Sequence, residues 1–339
     1  MSLIKACESG YLNLAQQLYN EGHNIHDNDD EAFLEACWHG HLEIAEWLHR
    51  LGVNIHTQDD KAFLYACLND QLEIAKWLHG LEANIHTQDD KAFQSTCQYG
   101  HLETAQWLRS LGVNIHAKDD AAFILACRHD HLHIAKWLHS IGANIHAQDN
   151  QAFKWVCMNG NLYMAQWLHD VGVDIHNQED IAFLLACTIG QLQIAKWLHS
   201  LGANIRALND DAFRTSCAHG HIEIAKWLHS LGVNIHARND IAFQHACRYG
   251  HLEIAKWLHG LDANIYTSDH SNYPSEIKEW LTTVSWENCY DIVDMCPICH
   301  EVDDKIYIKL VKCKHIFHQE CIKEWIKNNN NCPYCRQEI

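Results

Sequence analysis

The chain has 339 residues and a formal net charge of −18 at pH 7, because 43 Asp or Glu outnumber 25 Lys or Arg. An acidic chain repels DNA, RNA and anionic lipid, so we expect none of these as a partner and favour a basic protein surface. No apolar run is long enough to span a membrane, and the repeated pattern begins with the first residues, so we expect neither a membrane segment nor a signal peptide. The sixteen cysteines suit a reducing compartment, and we expect an intracellular, cytoplasmic protein.

Most of the chain consists of one repeated unit. Residues 27–266 contain eight copies of a thirty-residue unit without insertion or deletion, and residues 1–26 supply a truncated copy in the same register. A fixed period of this size predicts a solenoid of stacked units. Pro274 then opens a segment that repeats part of the unit, so we predict a capping helix and a linker at 267–294.

Each unit predicts two short helices. In the first complete unit, Asp30 stands where it can cap a helix that Gly40 ends. The apolar residues at helical spacing in this first helix are Ala32, Phe33, Ala36 and Cys37. The second helix carries a broader apolar stripe and ends at Gly52. Because neither helix is long enough to be stable alone, stacking must stabilise both.

Residues 220–236 read Gly-His-Ile-Glu-Ile-Ala-Lys-Trp-Leu-His-Ser-Leu-Gly-Val-Asn-Ile-His, which resembles the second half of an ankyrin repeat. The family's usual Thr-Pro-Leu-His is replaced by Asp-x-Ala-Phe, and the unit is about three residues shorter than usual, so we expect altered turns between repeats. Four residues replace glycines that would end helices, namely Asp70, Asp130, Glu82 and Asp262. The short variant resembles the ankyrin arrays of giant DNA viruses of amoebae, and a viral protein of this kind would act in the host cytoplasm.

Three residue types recur with the period and invite a chemical interpretation. Equivalent residues in stacked helices lie roughly 8 to 10 Å apart, beyond the roughly 7 Å Cα limit of a disulfide. We therefore predict that the nine periodic cysteines, from Cys7 to Cys247, are small buried apolar residues. Most of the 29 histidines occupy three positions of the repeat, and the tryptophan column occupies the apolar stripe of the second helix. We predict that the histidines are structural features of the repeat rather than a metal reservoir, and that the tryptophans form a packing stripe rather than a ligand-binding platform.

Target recognition should lie where the repeats differ. The first helix varies most at the two residues before its end, which the ankyrin resemblance places on the concave, partner-binding face. Large aromatic residues and arginines are favourable contact residues. The candidates for contact with a target protein are Trp38, His39, Tyr99, Arg128, Trp155, Met158, Arg248 and Tyr249. Neutral drift on a solvated face is the alternative explanation of this variability.

The last part of the chain contains metal-ligand pairs. Eight ligands follow one another in four closely spaced pairs, which are Cys296, Cys299, Cys313, His315, His318, Cys321, Cys332 and Cys335. Each pair places two thiolate or imidazole ligands within reach of one tetrahedral zinc, and four pairs close two sites without an open coordination position. We therefore predict two zinc ions, both structural.

This order of ligands resembles the RING finger with two central histidines. The resemblance implies that Cys296, Cys299, His318 and Cys321 hold one zinc and that the other four ligands hold the second. A PHD finger has a single central histidine, and a nucleic-acid zinc finger usually brings a basic helix, whereas the segment from 289 onward has seven Lys or Arg against eight Asp or Glu. We expect a mainly α protein, with an ankyrin solenoid at 1–266 followed by a small α+β cross-braced two-zinc RING domain at 295–339.

RING fingers that act as ubiquitin ligases resemble this sequence at four further residues. Ile298, Trp325 and Pro333 would form an apolar groove for a ubiquitin-conjugating enzyme, and Arg336 would hydrogen-bond both that enzyme and its linked ubiquitin. Such ligases have no nucleophile of their own, and we interpret Cys289, in a linker-like segment, as an ordinary thiol. The resemblance thus implies a ligase whose array binds a target, and the alternative is a non-enzymatic ankyrin adaptor with a purely structural RING.

Overall fold

The computed structural model of the protein describes residues 1–261, 263, 272–284, 286–289, 298–299, 307–310, 315–333 and 338. Two compact units divide the chain, Met1–Asn204 and Ile205–Ile339. The helices of the first unit are α1 (Leu3–Glu8), α2 (Leu12–Asn20), α3 (Asp27–Trp38), α4 (Leu42–Arg50), α5 (Thr57–Leu68), α6 (Leu72–Gly80), α7 (Thr87–Tyr99), α8 (Leu102–Ser110), α9 (Ala117–Arg128), α10 (Leu132–Ser140), α11 (Ala147–Asn159), α12 (Leu162–Asp170), α13 (Asn177–Ile189) and α14 (Leu192–Ser200).

The second unit continues the repeats and then changes architecture. Its elements are α15 (Ala207–Ala218), α16 (Ile222–Ser230), α17 (Ala237–Arg248), α18 (Leu252–His259), α19 (Ser275–Val284), β1 (Trp286–Cys289), β2 (Tyr307–Leu310), β3 (Ile316–His318) and α20 (Gln319–Ile326). Among the residues with a described position, no helix is both long and apolar enough to cross a membrane. The mainly helical fold predicted from the period is confirmed.

Packing within each unit follows the predicted apolar faces. Successive first helices contact one another, as α3 contacts α5, and each also contacts the second helix of its own repeat. The tryptophan column joins neighbouring repeats, since the Trp77 ring lies 6.3 Å from Phe33 and 5.8 Å from His49 of the preceding repeat. All nine periodic cysteines are buried free thiols, and burial raises the pKa of Cys7 to about 12. The packing roles predicted for the cysteine and tryptophan columns are confirmed.

The connection into each first helix contains three successive residues with left-handed backbone. Asn28, Asp29 and Asp30 have φ values of 54°, 56° and 64°, and the equivalent triplets of the other seven repeats are also left-handed. Left-handed backbone costs an L-residue about 1 to 2 kcal/mol, so each turn requires compensating contacts. Asp30 supplies one, because its carboxylate accepts a 2.7 Å hydrogen bond from His26 Nδ1. Asp30 is the last non-helical residue before the regular turns of α3, and its role as a helix cap stays a prediction.

The helix ends are as the sequence indicates. Asp70, Asp130 and Glu82 have φ values of 58°, 67° and 68°, in the left-handed region that the replaced glycines would also occupy. Gly100 is in the same region, and a Cβ atom there would lie 2.8 Å from the His131 ring. Asp262, the fourth replacement, lies outside the described residues.

The segment predicted as a capping helix and linker contains α19 and β1. Ile277 and Leu281 of α19 are buried. The Trp280 ring lies 6.4 Å from Phe243 and 5.8 Å from His259, so α19 reproduces the aromatic contacts of a second helix, as a cap should. β1 pairs antiparallel with β2, and β2 pairs antiparallel with β3. Cys289 therefore lies in a strand rather than in a linker, while the domain boundaries near 267 and 295 stay predictions.

Candidate metal centre and docking groove

A strand-to-helix junction positions the central metal ligands. β3 ends at His318, and α20 begins at the next residue, so Cys321 lies in the first turn of that helix. Phe317 is fully buried in a small core. The other buried members of that core are Leu310, Ile322 and Cys332. Because Phe317 and Ile322 anchor both sides of the junction, the side chain of His318 is held in the interior, where it is fully buried.

Three of the predicted ligands meet at this junction. Cys299, His318 and Cys321 each offer one donor atom, and these atoms all lie within 4.8 Å of one another. His318 Nδ1 lies 3.2 Å from Cys299 Sγ. Two thiols and one imidazole at this separation fit a tetrahedral zinc, whose bonds to sulfur and nitrogen are about 2.3 and 2.0 to 2.1 Å long. Cys296, the fourth predicted ligand, lies outside the described residues.

Two further predicted ligands, His315 and Cys332, lie close to each other in space. Cys332 is buried, and its Sγ lies 3.6 Å from His315 Nδ1. The structure thus brings Cys299 of the first pair to the third pair, and His315 of the second pair to Cys332 of the fourth. Cys313 and Cys335 lie outside the described residues, and the number of bound ions stays a prediction.

A groove of about 550 Å³ lies beside the cluster of Cys299, His318 and Cys321. Ile298, Cys321 and Trp325 line it. Trp325 Nε1 donates a 2.8 Å hydrogen bond to the Asn331 carbonyl oxygen, and this bond fixes the plane of the indole. The structure therefore brings Ile298 and Trp325 together, as predicted for a docking surface. Pro333 is half-buried and does not line this groove, and Arg336 lies outside the described residues.

Sequence reasoning missed two acidic residues of the groove. Glu320 and Glu324 line it from successive turns of α20, with side chains 79% and 70% exposed. Lys323 and Lys327 pair with them at 3.3 and 2.5 Å. The i, i+4 spacing of the two glutamates beside Trp325 is the signal that could have revealed them.

The variable residues of the array differ in exposure. Arg128 and Trp155 form a stacked pair, with the guanidinium carbon 3.9 Å from the ring centre. Trp38 packs edge-on against Tyr65 at 4.6 Å. The exposed candidates are His39, Tyr99, Arg128, Arg248 and Tyr249, and the half-buried ones are Trp38, Trp155 and Met158. Contact with a target stays a prediction for all of them.

Stacked helix pairs and a Cys/His cluster define a helical-repeat protein with a small zinc-finger domain. A family model described as ankyrin repeats (3 copies) matches residues 3–89, 63–149 and 123–209, and a model described as ankyrin repeats (many copies) matches 210–259. The Ring finger domain model matches residues 294–336. The chain belongs to the ankyrin-repeat family and carries a RING finger.

Named relatives match over the RING domain. The chain is 40% identical over 48 residues to the E3 ubiquitin-protein ligase RING1-like of Arabidopsis thaliana, a match covering 14% of this chain and 15% of that protein. It is 42% identical over 45 residues to the E3 ubiquitin-protein ligase RNF181 homolog of Drosophila melanogaster, covering 13% of this chain and 31% of that protein. The chain therefore spans less than a third of either relative's length. The crystal structure of the human ASB11 ankyrin repeat domain is similar over 62% of this chain and 96% of that one, with 19% identity and a TM-score of 0.48.

Proposed function

We propose that this protein is a RING-type E3 ubiquitin-protein ligase whose ankyrin array binds a target protein and whose RING finger recruits a ubiquitin-charged conjugating enzyme. The observation that carries the proposal is the juxtaposition of Ile298 and Trp325 in one groove beside the Cys299–His318–Cys321 cluster. The RING fingers of proteins named as ubiquitin ligases are 40–42% identical to this one, which supports the same role here.

The chemistry would be positioning rather than covalent catalysis. Zinc held by the Cys and His pairs would crosslink the loops that present the groove, since no ligand position is left open. Ile298 and Trp325 would dock the conjugating enzyme, and Arg336 would restrain its linked ubiquitin so that a target lysine attacks the thioester. A covalent ubiquitin carrier needs a thiolate. The periodic cysteines do not supply one, because burial raises their pKa values.

A reconstituted assay tests the ligase function. The full chain is incubated with ubiquitin, activating enzyme, ATP and a panel of conjugating enzymes, and we expect self-ubiquitination with at least one of them. Ile298→Ala should weaken docking, while Arg336→Ala should preserve docking and slow the discharge of ubiquitin to lysine. Asn330→Ala is the matched control, because Asn330 is exposed next to α20 and does not line the groove. If the parent stimulates no discharge across the panel, the protein is an adaptor with a structural RING.

Target binding by the array is a separate part of the proposal. The exposed Tyr99 and Tyr249 side chains, 48% and 58% exposed, and the Arg128–Trp155 pair support it, because aromatic residues and arginines contribute disproportionately to protein interfaces. Alanine substitution of these residues in groups should abolish capture of the target and leave self-ubiquitination unchanged. If every group of alanine variants still captures the target, recognition lies elsewhere on the chain.

We also propose a reducing, cytoplasmic location. Nine free thiols in the array and the Cys-rich metal cluster support it, since an oxidising compartment would form disulfides at the metal ligands. Fractionation of cells that produce the tagged full chain would test this location.

A further inference from the structure

A groove of about 520 Å³ lies between α15 and α17. Its walls carry four side chains that are positively charged or become so on protonation, namely Arg214, His219, His245 and His251. None of the residues lining it is acidic, although Asp and Glu outnumber Lys and Arg in the chain. The charge of the lining residues therefore differs in sign from the net charge of the chain.

Local residue size explains why the groove is open. Ala218 is the smallest residue in its repeat column, whose members in the other complete repeats are Trp38, Leu68, Gln98, Arg128, Met158, Thr188 and Arg248. Thr215 is likewise smaller than every residue of its column in the other complete repeats except Ser95, as with Tyr65, Leu125 and Trp155. Both residues line the groove. Small residues at these two positions, three residues apart on α15, leave space beside the helix.

Backbone hydrogen bonds orient two imidazole rings of the groove, and arginines supply its positive charge. His219 Nδ1 donates to the Thr215 carbonyl oxygen and His251 Nε2 donates to the Ala218 carbonyl oxygen, both at 2.9 Å, so backbone contacts orient both rings. Burial lowers the pKa of His245, and so do the charges of Arg214, Arg248 and His219. The lowered pKa keeps His245 uncharged, so the positive charge at the groove comes from Arg214, with Arg248 and Arg238 acting on its residues.

One acidic neighbour already uses part of this charge. Asp211, one turn before Arg214 on α15, forms an ion pair with its guanidinium group. An arginine has five donor N–H groups in a planar fork, so a guanidinium with one carboxylate partner retains donors for a second. Asp211 would therefore compete with a ligand without preventing its binding.

We propose that this groove binds an aspartate or glutamate side chain in an extended acidic segment of the target protein. The charge of the whole array favours a basic partner surface, but the groove favours the opposite sign at this place because it contains Arg214 and no acidic side chain lines it. Tyr249, which also lines the groove and is 58% exposed, offers an apolar face to a residue next to the carboxylate. The inference rests on the proposed role of the array in target binding and gives the chemical class of the segment recognised.

The test selects peptides without presupposing their charge. A random-sequence peptide library on phage is panned against the immobilised full chain after depletion on the Ala218→Trp variant. That column holds Trp38 elsewhere, so the repeat accepts the substitution while the indole fills the groove. We expect the selected peptides to be rich in Asp or Glu. A synthetic fluorescein-labelled peptide of the selected sequence should bind the parent, bind more weakly as salt increases, and not bind Ala218→Trp.

Two substitutions of charged residues should change the affinity for the peptide in opposite directions. Arg214→Gln, a residue found at this position as Gln94 and Gln244, should weaken binding about tenfold or more, because it removes a charge-assisted hydrogen bond. Asp211→Gln should strengthen binding several-fold, because the competing carboxylate is gone. Thr188→Trp, the same substitution in the same column of another repeat, is the control and should bind like the parent.

Several outcomes would overturn the proposal. These are a failure to enrich any peptide after the depletion, a basic or purely apolar consensus, and an Arg214→Gln variant that binds like the parent. Displacement of the peptide by single-stranded RNA of equal charge would instead identify a phosphate site. Self-ubiquitination, measured on the same samples, is independent of the groove, so a failure of the ligase function is distinguishable from a failure of this inference.

Discussion

Substitution of His318 tests whether the junction between β3 and α20 holds a structural metal. The imidazole is fully buried and lies 3.2 Å from Cys299 Sγ, so His318→Ala removes a ligand from the cluster. A structural zinc contributes on the order of 10 kcal/mol of apparent folding free energy in a small domain. Full burial of one large apolar side chain contributes roughly 1.5 to 3 kcal/mol. Among the described residues of the RING, the apolar ones buried in this core besides Cys332 are Leu310, Phe317 and Ile322. The folding free energy lost with the metal therefore exceeds the stabilisation that burial of these three side chains supplies. The RING should unfold.

The matched variant is His318→Cys, which replaces one zinc ligand with another. We expect two zinc ions per chain in the parent and in His318→Cys by elemental analysis. His318→Ala should lose zinc and part of the near-ultraviolet circular dichroism, which sums all 13 tryptophans of the chain, whereas the far-ultraviolet helical signal of the array should persist. Chelation of the parent should have the same effect. A His318→Ala protein with the parent's zinc content and near-ultraviolet spectrum would refute the reasoning.

Three further predictions concern the array and the docking groove. Glu82→Gly should raise the free energy of unfolding by about 0.5 to 1 kcal/mol, because glycine removes the strain of a left-handed residue; an unchanged urea midpoint would contradict this. Asp120→Ala should cost about 2 to 4 kcal/mol, since its carboxylate accepts 3.0 Å hydrogen bonds from His116 and from the Asn144 amide. Asp120→Asn copies Asn150 of the next repeat. It should lower the free energy of unfolding, measured by urea unfolding of both Asp120 variants, by less than about 1 kcal/mol. Charge reversal of Glu320 and Glu324 to lysine should weaken docking of conjugating enzymes with basic contact residues and slow discharge about tenfold; equal rates across the panel would exclude a role for this pair.

The period of the sequence by itself determined most of the fold. An apolar pattern repeated every thirty residues can be buried only if equivalent helices stack, so the helix pairs, the buried cysteines and the tryptophan contacts all follow from it. The same pattern at Trp280 and Leu281 predicted α19 as a cap. The ligand spacing likewise indicated the cluster at His318, because the donor chemistry of a zinc site is written in residue types and short separations.

Tertiary structure alone decided the connections and the details of the surfaces. The left-handed turn at Asn28–Asp30 depends on contacts such as the one from His26, and no local propensity predicts three successive left-handed residues. The pairing of β1 with β2 joins residues far apart in sequence.

The two grooves show the same limit at the level of side chains. Ala218 looks unremarkable in its own helix, and Glu320 looks like an ordinary exposed residue. Each gains a role only because packing sets a second segment beside it, α17 in one case and Ile298 in the other. Periodicity specifies which faces are buried, whereas the space and charge between neighbouring elements depend on which side chains meet there in three dimensions.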